Sequence, residues 1–176
     1  MSVAAGLRFT PLQRGLHWVM ALCILTMLFI GIGMVSTITR TYLQLVDIHK
    51  PLGILILILA LLRLMVRWRS GAPALPADLP EPMRLAAHLS HYALYALMIA
   101  MPLIGWGMLS AGNIPVVVFG LQLPAILPAA PILHATLRTW HTYLALAFFA
   151  LVILHLAAAL FHALVRKDGV FTSMAP

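Results

Sequence analysis

Apolar residues fill four long stretches of the chain, and polar positions gather in the three connections between them and near the two ends. A helix needs about 20 mainly apolar residues to cross the hydrocarbon core of a bilayer. The pattern therefore predicts four transmembrane helices, over roughly 12–36, 48–68, 83–109 and 137–164. The first opens with the amphipathic Gln13-Arg14 and carries Trp18 near the interface. Thr37 to Asp47 reads as a polar connection, and Pro51 falls near the start of the second helix, where a missing N–H costs little. Pro73, Pro76, Pro80 and Pro82, together with Asp78 and Glu81, rule out a helix and make a loop. Pro102, Gly105 and Gly107 predict a bend late in the third helix. The connection from Ser110 to Pro131 is proline-rich yet apolar, and is expected to lie on the outer rim of the bundle. The expected fold class is all-α, an integral membrane four-helix bundle, with residues 1–176 forming one domain.

Composition strengthens this picture: 63% of the residues are hydrophobic and 9% charged, far outside soluble globular usage. A net charge of +7 raises the question of nucleic acid, and the placement of the cations answers it. Arg8, Arg14, Arg63, Arg67, Arg69, Arg84, Arg166 and Lys167 fall on one side of the predicted membrane; Arg40, Lys50 and Arg138 fall on the other. They form no nucleic-acid patch, and the asymmetry places both termini in the cytoplasm by the positive-inside rule. The first span is too long for a signal peptide's apolar region and reads as a retained helix. Cys23 has no partner for an internal disulfide, and no C-x-x-C-H run attaches a haem covalently. Gly31-Ile32-Gly33 lies within a membrane helix, without the strand-turn-helix context of a dinucleotide fold. The ten methionines read as gap-filling membrane core.

The eight histidines, most of them in or at the ends of predicted spans, need a reason, because an ionisable side chain at membrane depth is costly and faces the bundle interior. His141 and His155 are 14 residues apart, about 1400° of helix rotation, so both face the same way at levels about 21 Å apart. That spacing suits two haems stacked at different depths, each iron needing a second axial ligand from a facing helix. His49, at the outer start of the second helix, matches His141 in depth. His17, near the cytoplasmic start of the first helix, matches His155, although His88 and His91 of the third helix compete for that iron. Gly53 and Gly15 would let a flat macrocycle approach the backbone. Structural zinc requires four ligands converging at one point, and a di-iron carboxylate centre requires acids that these helices lack. His134 is expected to face solvent or to bond a haem carboxylate.

Leu16-His17-Trp18, Ile48-His49, Ala87-His88-Leu89-Ser90-His91, Phe119-Gly120-Leu121, Trp140-His141 and the run from Leu154-His155 to Ala159, with His162 following, together resemble the bacterial cytochrome b561 family, also described as superoxide oxidase, over nearly the whole chain. The resemblance implies that His17 and His155 hold one haem b and His49 and His141 the other. It implies an oxidoreductase of the bacterial inner membrane that takes electrons from periplasmic superoxide and reduces ubiquinone. Arg40, Lys50 and Arg138 then form a positive funnel for the anion at the catalytic face. His162, with His88 and His91 approaching from the third helix, is the candidate proton source for the quinone. An electron-carrier subunit linking a partner dehydrogenase to quinone, and a non-redox scaffold with structural histidines, are the competing readings. Lipid is a certain partner, nucleic acid is not one, and a second copy of the chain or a redox protein stays open.

Overall fold

The computed structural model describes residues 8–176. Four long helices carry the chain back and forth: α1 (Pro11–Ser36), α2 (Arg40–Ser70), α3 (Glu81–Ala111) and α4 (Pro131–Phe161). A short β-hairpin, β1 (Val116–Val118) and β2 (Leu121–Leu123), lies between α3 and α4. Past α4 the chain makes a π-helical turn over His162–Arg166 and ends in a short helix, α5 (Val170–Met174). All four long helices have the length and apolar character to cross a membrane. Neighbours pack in chain order, α1 on α2, α2 on α3 and α3 on α4. The bundle has a hairpin end and an end where the start of α1 meets the C-terminal tail, called the terminal end below.

Local chemistry sets the helix starts. Thr10 caps α1 in a reciprocal box: its hydroxyl accepts from the Gln13 N–H at 3.3 Å, and Gln13 Oε1 accepts from the Thr10 N–H at 3.0 Å. The Gln13 side chain is buried and also donates from Nε2 to the Gly71 carbonyl at 2.8 Å, tying the start of α1 to the end of α2. Thr39 caps α2, which begins at Arg40 rather than near Ile48. The expected Thr37–Asp47 connection shrinks accordingly, and Pro51 lies well inside the helix instead of near its start. The 31 residues of α2 span about 46 Å, more than the hydrocarbon core, so its first turns rise above the apolar layer. Helix α3 runs unbroken through Pro102, and α4 begins at Pro131, six residues ahead of its expected start.

The α3–α4 connection adds strands to the expected all-helical bundle. Val116 pairs with Leu123 and Val118 with Leu121, around a two-residue turn in which Phe119 and Gly120 both have positive φ, 49° and 82°. Such a turn matches the twist of a tight hairpin, and glycine adopts it without steric cost. Trp106 Nε1 donates to the Pro124 carbonyl and the Ile126 N–H donates to Ser110 Oγ, so the connection is strapped onto α3.

At the other end the chain folds back over the start of α1. Trp18 Nε1 donates to the Met174 carbonyl at 2.9 Å, the Phe9 N–H to Ser173, and Arg14 and Arg8 to Ala175. Lys167 and Gly169, with φ of 53° and 82°, make the reversal. The packed core is a cluster at the middle of the bundle: Met20 and Ile24 from α1, Ile56 and Ala60 from α2, Leu94 and Met98 from α3, and Phe148 from α4.

Candidate functional site

Two histidine pairs lie on opposite sides of that central cluster. Phe148, the buried residue of α4 among the described residues, is seven positions from both His141 and His155, so the helix presents one histidine on each side of the core from nearly the same face. Toward the hairpin end, His49 of α2 faces His141 of α4 with ring centres 6.1 Å apart and planes at 64°. Toward the terminal end, His17 of α1 faces His155 with ring centres 6.4 Å apart and planes at 73°. Depth accounts for the pairing. His49 and His141 stand nine and ten residues beyond the starts of their helices, while His17 stands six beyond the start of α1 and His155 six before the end of α4.

Both separations fit two imidazoles on one iron. A metal–nitrogen bond of about 2.0 Å and roughly 1.1 Å from nitrogen to ring centre, counted on each side, give about 6.2 Å. Among the described residues, no three of His, Cys, Asp and Glu are grouped to hold a bare metal ion. A pair suffices when a macrocycle supplies the other four donors. Among the described residues the buried Nδ1 atoms of His17, His49 and His141 meet no hydrogen-bond partner, so none of these rings braces a neighbouring helix through that atom, and leaving the bond unmade costs about 1–3 kcal/mol per group.

The glycines divide by what surrounds them. A Cβ at Gly105 of α3 would stand 3.3 Å from His141 Cε1, so this glycine lets α3 close on the ring. A Cβ at Gly15 would meet no protein atom within 4 Å, and one at Gly53 only Met27 Cε at 3.7 Å, so helix packing demands neither. Gly105 was legible only as a source of bending; its contact with His141 depends on how α3 and α4 pack.

The remaining candidates separate. His91 lies beside the terminal-end pair, its ring 5.5 Å from that of His155, whereas His88 is exposed on α3. His162 turns its Nδ1 to Asp168 Oδ2 at 2.7 Å, and Arg166 Nε reaches the same oxygen at 2.9 Å while its Nη2 reaches Asp78. Burial works to raise the Asp168 pKa, but hydrogen bonds from Arg166, His162 and the Val170 N–H outweigh it and hold the carboxyl below its ordinary value. His134 is not solvent-facing, nor part of a loop: it sits in the first turn of α4, with Nδ1 2.8 Å from the Met108 carbonyl and its ring against Gly112. The same carbonyl accepts from the Gly112 N–H at 3.0 Å, so His134 adds a second contact there and ties the start of α4 to the end of α3.

At the hairpin end, Lys50 is paired with Asp47 at 3.4 Å. Arg138 is exposed and lines a shallow groove with Thr139, Thr142 and Tyr143. Arg40, exposed at the first residue of α2, stands nine residues from His49, about 14 Å along the axis.

Known proteins match this architecture along nearly its whole length. A protein of Yersinia pestis named probable superoxide oxidase CybB is 32% identical over 171 residues, covering 96% of each chain. Cytochrome b561 homolog 2 of Escherichia coli (strain K12) is 32% identical over 173 residues, 95% of this chain and 90% of that one. Cytochrome b561 homolog 1 of the same organism is 29% identical over 178 residues, 96% of this chain and 97% of that one. The family described as prokaryotic cytochrome b561 matches residues 8–176, and the chain therefore belongs to it, a multi-pass membrane electron-transfer protein that binds b-type haem.

Proposed function

We propose that the chain is a di-haem oxidoreductase of the bacterial inner membrane, oxidising superoxide outside and reducing ubiquinone within the membrane. The observation that carries this is the pair of facing histidines at each of two levels, 6.1 and 6.4 Å apart, on either side of the central core. His49 and His141 hold the outer haem, His17 and His155 the inner one. The cation asymmetry supports an orientation with the terminal end in the cytoplasm and the hairpin end outside.

When bound, b-type haem supplies a centre that accepts and releases one electron at a time. The protein's own residues do the rest. Arg138, with Lys50 and Arg40 at the same end of the bundle, raises the local concentration of the superoxide anion at the outer face. The cluster around Phe148 and Met20 excludes water from the middle of the bundle, so protons do not follow the electrons. Each ubiquinone reduced takes two electrons, from two superoxide ions that leave as two dioxygen molecules, and two protons from the cytoplasmic side. His162, held by Asp168 at that side, is placed to pass a proton, and His91 lies beside the inner pair. The Yersinia pestis relative named probable superoxide oxidase supports this choice of substrate.

The test is to purify the protein in detergent, count haem per chain, and follow the b-type absorption bands on adding a superoxide source with and without superoxide dismutase. Reduction that dismutase abolishes, followed by reoxidation with ubiquinone, is the expected result. Haems indifferent to superoxide would replace this reading with that of an electron-carrier subunit for a partner dehydrogenase.

A further inference from the structure

Among the described residues Arg63 has no acidic partner. The chain contains four acidic side chains, and all are engaged elsewhere: Asp47 with Lys50, Asp78 with Arg166, Glu81 with Arg84, and Asp168 with Arg166 and His162. Yet Arg63 lies within a membrane-crossing helix, seven residues before the end of α2, level with His17 and His155. It stands 14 residues after His49, the same interval that separates His141 from His155. Helix α2 thus turns a histidine toward the outer level and a guanidinium toward the inner one.

Its neighbours do not neutralise it. The guanidinium carbon lies 5.7 Å from the centre of the Tyr95 ring, a weak cation–π contact. Arg67, one turn nearer the cytoplasmic end, lines the same small cleft, together with Gln13, Phe9, Tyr95 and Met174. Arg69 is exposed, whereas Arg63 and Arg67 are half-buried and turned into the cleft. Two cations at this depth, without a carboxylate from the protein, imply an anion from elsewhere.

We infer that Arg63 and Arg67 form a carboxylate-binding site for the propionates of the inner haem, a role that rests on the assignment of that haem to His17 and His155. The chemistry matches: the two propionates need cations in the same low-dielectric layer, and a guanidinium donates two parallel hydrogen bonds to a carboxylate. At the outer level Lys50 is held by Asp47 and Arg138 is exposed, so among the described residues no such pair of inward-turned guanidiniums stands beside His49 and His141.

The experiment is a redox titration of the purified full chain, wild type against Arg63→Gln, Arg63→Lys and Arg67→Gln, with haem counted per chain. The inner haem is identified beforehand as the one lost in His155→Ala. If His155→Ala keeps both haems, the ligand assignment fails and this inference with it. With the assignment standing, Arg63→Gln is expected to lower the midpoint potential of the inner haem, or to release that haem, while the outer haem stays unchanged and Arg63→Lys restores most of the difference. Unchanged potential and haem content in Arg63→Gln would overturn the inference, as would equal shifts in both haems. A raised KM for ubiquinone with an unmoved inner potential would overturn it too, by assigning Arg63 to the quinone. If Arg63→Gln does not accumulate in the membrane, Arg67→Gln carries the test, with a smaller downward shift expected and no shift overturning.

Discussion

His162 Nδ1 and Asp168 Oδ2 meet at 2.7 Å across the π-helical turn that ends the last membrane helix, with the two side chains only 13% and 9% exposed. This contact fixes where the tail reverses, because Asp168 also accepts from Arg166 and from the N–H of Val170 at the start of α5. A widened turn at this place is a common mark of a working site, since it re-aims one side chain without breaking the helix.

The tail should loosen in acid. The Asp168 pKa is held below its ordinary value, so its contribution to stability is fully present above the unfolded carboxyl value, near about 3.9, and is lost as pH falls through the lower folded value. Trp18 fluorescence reports the change, because its indole donates to Met174 of the tail. The expected outcome is a transition below about pH 4 that Asp168→Asn abolishes by leaving the tail loose at every pH. A transition that persists unchanged in Asp168→Asn would assign it to other carboxylates.

Removing His49 or His141 should remove one haem, and removing His17 or His155 the other, lowering haem content from about two to about one per chain in each case. Optical spectra of the four alanine variants check this. Two groups of two matching spectra are expected; retention of both haems in all four would dismantle the ligand scheme.

Gly105→Ala should disturb only the outer level. Its Cβ would stand 3.3 Å from His141 Cε1, a distance at which the ring must give by a few tenths of an ångström. The expected result is a shift in the potential of the outer haem with the inner one unmoved, and loss of the outer haem in Gly105→Leu. Redox titration distinguishes the two levels.

Reversing the charge at Arg138 should slow reduction by superoxide on the order of threefold at low ionic strength and flatten its dependence on salt. Stopped-flow measurement between low and high salt checks it. An unaltered rate would leave Arg138 as an interfacial anchor of α4.

Much of this was legible in the sequence, for identifiable reasons. The helices announce themselves because lipid demands long apolar runs, and the 14-residue step from His141 to His155 survives as geometry because a helix is a rigid ruler. The same step from His49 to Arg63 was equally present, but Arg63 read as one more cytoplasmic cation until the structure placed it level with His17 and His155. The early start of α2 was hidden because hydropathy marks where lipid ends, not where a helix ends. The hairpin turn at Phe119-Gly120 carried a glycine signal in a segment otherwise marked by prolines. The bond between His162 and Asp168 depends on a π turn and on left-handed Lys167, neither of which a pattern of apolar residues encodes. His134 looked like a loop residue only because α4 starts earlier than its apolar run.

Phe148 stands one heptad from each histidine of α4, and the core grips that helix at Phe148. The ring positions are therefore indexed from a single clamp. Inserting one residue between Phe148 and His155 would swing the lower imidazole by about 100° and leave His141 where it is; the same insertion above Phe148 would do the reverse. The two seven-residue intervals therefore set the levels of the rings by their length, whichever side chains they carry toward lipid.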